Sequence, residues 1–272
     1  MSDVFNRAEG PDTGVWIVRE SARPLAEKLA ASLGALVHPK SSFSESAKDS
    51  NRVQFEAVFP NTKHWILLMA SGIASRYLAR LPRDKHSDPS VVVIDEACRF
   101  AIPLLGGHEG GANALAYRIA ALTGATPVIT TATEALKPLT VGIGCRKGMS
   151  AARIQAAVEQ SLASVHCTLA DVREVATVDI KASEPGLLSW LSSNFLPLRI
   201  FSSTQIAQRP LTATPSDWVY RNVGLAGVCE PCALLASPRG ALLLPKTAVA
   251  GVTVAIVSDS FTTSLPQSCP AN

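Results

Sequence analysis

Apolar residues along this chain fall into short β-branched runs separated by stretches of helical spacing. Residues 14–18 (Gly-Val-Trp-Ile-Val) predict a first strand. Ser21 can cap the next segment, Pro24 sits in its first turn, and Leu25, Leu29, Ala30 and Leu33 recur at helical spacing up to Gly34. Residues 35–38 predict a second strand, and the polar, serine-rich stretch 40–54 reads as a mobile loop or insertion. The run 64–69 (His-Trp-Ile-Leu-Leu-Met) has the continuous apolar character of a buried parallel strand. A short helix over 73–81, a strand over 91–95, and another over 100–105 follow. Residues 112–122 predict a helix with Leu115, Ile119 and Leu122 on one face, stopped by Gly124. Residues 127–133 predict a strand ending in hydroxyl side chains.

Residues 134–138 read as a linker, after which the alternation starts again. Strands are predicted over 140–144, 174–180, 198–201, 241–246 and 252–257. Helices are predicted from a Ser150 cap to about residue 163, over 185–195, and within 227–236. Residues 209–222 form a loop rich in Pro and Thr, and the polar tail 258–272 is expected to fray. Strands alternating with helices predict an α/β fold: two α/β domains, 1–136 and 137–272, each a largely parallel or mixed sheet flanked by helices. In such sheets ligands sit beyond the carboxyl ends of the strands, where 106–111 and 130–134 are expected to lie.

Composition narrows the function classes. Of 272 residues, 47% are hydrophobic and 17% charged, as in a well-buried globular protein. No apolar run approaches the roughly 18–20 residues of a membrane span, and the N-terminus lacks the apolar core of a signal peptide. These features predict a cytoplasmic protein that engages no membrane. The net charge of +3 is small and its basic residues are dispersed, which argues against nucleic acid but suits a small anionic substrate. Of the six cysteines only Cys229 and Cys232 are closely spaced. That pair is either a redox motif, half a zinc site, or two small buried apolar side chains; no second pair has the spacing a zinc site needs, and the buried alternative is favoured.

The strongest chemical candidate is the stretch 104–113, where four glycines surround His108 and Glu109. So much glycine is costly to order, and the usual reason is a tight turn or a close approach of backbone to ligand. The stretch matches neither a P-loop nor a dinucleotide-binding turn. His108 can act as base or acid near neutral pH, with Glu109 orienting it or acting itself; the strand-end Asp95 is a candidate catalytic carboxylate or a solvated, helix-capping acid. Backbone N–H groups at the following helix start are candidate donors to a carboxylate or oxyanion. A structural turn accounts for the spacing equally well. Arg76 and Arg80, one helical turn apart, are candidate carboxylate clamps or a solvated face. A second glycine turn, 142–148, carries Cys145, Arg146 and Lys147. The neighbouring cations would favour a thiolate, but no histidine lies nearby in sequence to make Cys145 a nucleophile.

Residues 69–73 (MASGI), 85–96 (KHSDPSVVVIDE), 104–113 (LLGGHEGGAN) and 127–133 (PVITTAT) resemble the N-terminal domain of the CbiG family. Residues 142–148 (GIGCRKG), 179–181 (DIK) with Glu184, 227–230 (GVCE), and Lys246 with 251–255 (GVTVA) resemble its C-terminal domain, and CobE is similar to that domain alone. Many members carry a middle segment that 134–138 replaces here.

The resemblance implies a cobalt-precorrin-5A hydrolase of cobalamin biosynthesis. Water opens a δ-lactone on the ring-contracted cobalt tetrapyrrole, the two-carbon C20 fragment leaves as acetaldehyde, and cobalt-precorrin-5B results. The cobalt belongs to the substrate, so neither a cofactor nor a protein metal site is expected. On this reading His108, Glu109 and Asp95 are catalytic, and Gly106, Gly107, Gly110, Gly111, Asn113, Thr130 and Thr131 line the substrate. Arg76, Lys85, Arg118, Cys145, Arg146, Lys147, Lys181, Glu184 and Glu230 complete the substrate-binding set, in a cleft expected between the domains. The partners implied are the cobalt-precorrin and other pathway enzymes that hand it over. The alternative is a non-catalytic, CobE-like carrier of a corrinoid intermediate.

Overall fold

The computed structural model describes residues 12–39, 48–208 and 227–259. The chain divides into two compact units, Met1–Glu134 and Ala135–Asn272. The predicted loop 209–222 and the tail beyond Asp259 lie outside the described residues.

In the first unit, strands β1 (Thr13–Ile17), β2 (Leu36–His38), β3 (His64–Leu68), β4 (Ser90–Ile94), β5 (Phe100–Leu105) and β6 (Thr126–Pro127) form one sheet in the order β2-β1-β3-β4-β5-β6. All neighbours are parallel except β4 and β5. Side chains alternate across the sheet, as the period of two requires. Val15, Ile17, Ile66, Leu68, Val92 and Ile94 pack on one face with residues of α1 (Arg23–Leu33) and α4 (Ala112–Thr123). Trp16, Trp65, Leu67, Val91 and Val93 pack on the other with α2 (Lys48–Val58) and α3 (Ser71–Leu78).

Two sequence expectations need correcting here. Residues 48–54 are not loop but the first part of α2. Buried Asn51 accepts hydrogen bonds from the edges of two aromatic residues, Trp16 Nε1 at 3.0 Å and Tyr77 Oη at 2.9 Å, while Phe55 packs among the rings of Trp16, Trp65 and Tyr77. A polar residue thus anchors a helix that its composition disguised. The strand expected over 127–133 shrinks to the two residues of β6, and Ala132–Ala135 form a short helix, α5, that spans the end of that expected strand and the start of the expected linker.

The second unit orders its strands β10-β11-β7-β8-β9. Parallel β7 (Leu139–Cys145), β8 (Val172–Val178) and β9 (Leu198–Phe201) are flanked by the antiparallel pair β10 (Ala241–Val249) and β11 (Val252–Ser258). Helices α6 (Ala151–Ser164) and α7 (Pro185–Ser193) cover one face through Ile154, Val158, Leu162, Leu187 and Trp190. Ser150 caps α6 by accepting the Arg153 amide. The other face carries α8 (Ser203–Ala207), which the sequence reading missed, and α9 (Cys229–Ala236). Gly142 lets α9 approach: a Cβ there would lie 1.9 Å from the Cys229 carbonyl oxygen.

Candidate active site

In the first unit the site follows from one topological fact. Because β5 runs antiparallel to β4, the loop leaving β5 lies beside Ser90, at the amino end of β4. Residues 106–111 are therefore at the carboxyl ends of β5 and β6 but at the amino ends of β1, β3 and β4. Asp95 follows the opposite end of β4. It accepts the Arg99 and Phe100 amides and the Arg99 guanidinium; burial raises its pKa, but these donors outweigh it and hold the carboxyl below its ordinary value. Asp95 closes a turn and does not orient His108.

The loop is tight enough to require its glycines. Gly106 and Gly111 have φ of +64° and +82°, in the left-handed region. A Cβ on Gly110 would stand 2.9 Å from the Gly106 backbone, and one on Gly107 would stand 2.6 Å from Thr131 Cγ2. The Ala112 and Asn113 amides, expected to meet a ligand, instead donate to the Gly106 and Gly107 carbonyls. The amides of Gly107, His108, Glu109, Gly110 and Gly111 make no hydrogen bond among the described residues, so the exposed rim of the loop holds the available donors.

His108 stands exposed on this rim and meets an acid that the sequence reading did not single out: Nδ1 lies 2.7 Å from Glu134 Oε1, with 69% of the His108 side chain and only 15% of the Glu134 side chain accessible. The other Glu134 oxygen accepts the hydroxyls of Thr131 and Thr133. Burial raises the Glu134 pKa, but the three hydrogen bonds and the His108 charge outweigh it and bring the carboxyl below its ordinary 4.5. An ionised carboxylate only accepts, so Nδ1 carries the proton, and in the neutral ring Nε2 presents its lone pair. Glu109 faces away from this pair, toward Lys85 at 3.4 Å and His86 at 3.3 Å. Lys85 thus joins the rim, beside a pocket of about 230 Å³ lined by Pro82, Arg83, Asp84, Lys85, Asp88, Leu105 and Gly106. Thr130 is exposed beside Thr131. Arg76 and Arg80 are both exposed, and neither makes an ion pair among the described residues; Arg118 on α4 is half-buried.

In the second unit the carboxyl ends of β7 and β8 carry the second glycine turn. The buried Glu184 carboxylate accepts the Gly148 amide at 2.6 Å and lies 3.6 Å from Lys181 Nζ. Buried Glu230 accepts the Lys246 amide at 2.7 Å. Glu184, with Lys181 beside it, thus holds the glycine turn, while Glu230 holds the backbone of β10. Arg146 and Lys147 are exposed and make no ion pair among the described residues. Burial raises the Cys145 thiol, with Lys181 lowering and Glu184 raising it, which disfavours a thiolate nucleophile. Cys229 and Cys232 are buried; burial pushes Cys229 up to about 11 and Cys232 well above its ordinary value, so the pair packs rather than exchanges electrons.

Comparison with known proteins identifies the chain by its two halves. Both match families of cobalamin synthesis, which makes this a two-unit α/β protein of tetrapyrrole metabolism. Residues 53–134 match the family described as Cobalamin synthesis G N-terminal, and residues 139–257 match Cobalamin synthesis G C-terminus. The chain belongs to the cobalamin synthesis G (CbiG) family. A relative from Priestia megaterium named cobalt-precorrin-5A hydrolase is 25% identical over an alignment covering 76% of this chain and 81% of the relative. One of the same name from Salmonella typhimurium is 46% identical over 40% of this chain and 32% of its own length. Protein CobE from a Sinorhizobium species is 29% identical over 48% of this chain and 85% of its own.

Proposed function

We infer that this protein is a cobalt-precorrin-5A hydrolase. The observation that carries the reading is that both units match one family, and that a relative named for this activity aligns across most of the chain. The His108–Glu134 pair supplies the chemistry.

Water attacks the lactone carbonyl while His108 Nε2 takes its proton; the imidazolium that forms is stabilised by Glu134 at Nδ1. Rim amides from Gly107 to Gly111 donate to the developing oxyanion. The acyl C–O bond then breaks as the imidazolium returns its proton to the leaving alkoxide, which frees the base and leaves a carboxyl group, ionised at neutral pH, and a free hydroxyl on the C20 fragment. In the second stage that hydroxyl gives up its proton and becomes the carbonyl of acetaldehyde. The C–C bond to the ring breaks and its electron pair passes into the conjugated macrocycle. The same imidazole serves as base in both stages.

Exposed Lys85, Arg146 and Lys147 are the cations suited to the substrate's peripheral carboxylates. The cobalt arrives with the substrate, and the reading requires no protein-bound cofactor. With this reading goes the expectation of a cytoplasmic protein that passes its product to the next pathway enzyme. Among the described residues no helix is long and apolar enough to cross a membrane.

The test is acetaldehyde release from cobalt-precorrin-5A. Stoichiometric release is expected. Bound but unchanged substrate would overturn the hydrolase reading in favour of a carrier.

A further inference from the structure

The hydrogen bonds behind Glu134 run in one direction, and that direction has a consequence for His108. Thr131 Oγ1 has one proton, and Glu134 Oε2 can only accept it. The Asn113 side chain must therefore turn its NH₂ toward Thr131, where Nδ2 donates at 2.9 Å. This orientation leaves Asn113 Oδ1 buried with no hydrogen-bond partner. A buried acceptor without a donor is destabilising, and native proteins rarely keep one without a reason. The glycine loop is shaped around the same groups: a Cβ at Gly107 would press on Thr131 Cγ2 at 2.6 Å and on Asn113 Oδ1 at 3.2 Å. Asn113 is only 8% accessible and Thr131 is half-buried, so neither side chain is placed as the substrate contact its sequence position suggested.

We propose that Asn113 and Thr131 are positioning residues, which act through Glu134 to hold His108 as the tautomer protonated at Nδ1. The chain Asn113 Nδ2–H to Thr131 Oγ1–H to Glu134 leaves the carboxylate no donor of its own. It keeps one oxygen aimed at Nδ1 and leaves Nε2 free to accept a proton. Thr133 is a second donor to the same carboxylate oxygen, from an exposed side chain adjacent in sequence. The catalytic part of this proposal rests on the hydrolase reading; the tautomer part does not.

The experiment is ¹⁵N NMR of His108 in the full chain, above the pH at which the ring is neutral, together with steady-state acetaldehyde release. Wild type is expected to show one tautomer, protonated at Nδ1. Thr131→Val removes the relaying hydroxyl at nearly constant volume. Asn113→Asp removes the donor at constant shape and covers the case in which the valine variant fails to fold. Each is expected to give a mixture of tautomers and to lower kcat about tenfold, at the low end of what a base contributes, with KM changed less than twofold. Thr131→Ser restores both the tautomer and kcat. A single Nδ1-protonated tautomer in Thr131→Val and Asn113→Asp would overturn the proposal, as would an unchanged kcat in both. A wild-type protein that releases no acetaldehyde overturns the hydrolase reading separately, whatever the spectrum shows.

Discussion

At the residue scale the proposed chemistry comes down to one imidazole and the carboxylate behind it. His108 was legible from the sequence because a titratable side chain among four glycines is unusual. Its partner was not. Glu134 lies 26 positions away, and only the return of the chain through α4, followed by β6 running parallel to β5, brings it to the loop. Glu109 is adjacent in sequence, but consecutive residues seldom face each other, and it turns to Lys85 and His86. His108→Ala should lower acetaldehyde release by about 10²-fold or more. Glu109→Ala should change it less than about fivefold, since an exposed ion pair is worth about 0–1 kcal/mol. Glu134 titrates below its ordinary value, so its stabilising contribution is complete above pH 4.5 and is lost as pH falls through the lower folded value. ¹³C NMR of the Glu134 carboxylate should give a midpoint below 4.5; a midpoint at or above it would contradict the hydrogen-bond account.

At the element scale the strands and helices with strong periodicity were readable, and β9 at Leu198–Phe201 coincides with its expected range. Elements whose formation depends on distant partners were not. Helix α2 starts in a polar stretch and is secured by Asn51 against Trp16 and Tyr77. The antiparallel turn of β5 also escaped the sequence, because a short apolar strand reads the same in either direction. That reversal decides which end of the sheet bears the site. In the second unit Gly142 allows α9 to lie on β7, and a Cβ would collide with backbone rather than with a flexible side chain. Gly142→Ala should therefore cost about 1–3 kcal/mol or more and lower Tm, read by thermal unfolding. The Cys229-Glu230-Pro231-Cys232 spacing was ambiguous in sequence. In the structure it starts α9 with both thiols buried, and replacing both cysteines by alanine should leave acetaldehyde release within about threefold of wild type.

At the scale of the whole molecule, two α/β units of similar length each carry a glycine turn beside exposed cations, and both belong to one family. A net charge of +3 is modest, so the proposed function assigns substrate attraction to local cations rather than to the whole field. Arg146→Glu should raise KM several-fold and weaken its dependence on salt, with kcat nearly unchanged. The central claim is that His108, backed by Glu134, moves the proton that opens the lactone. The most direct measurement is single-turnover acetaldehyde release from cobalt-precorrin-5A by wild type and by His108→Ala at saturating protein. The account predicts one equivalent of acetaldehyde from wild type, with a rate constant about 10²-fold or more lower in the variant and substrate binding retained. Equal rate constants for the two proteins would contradict it.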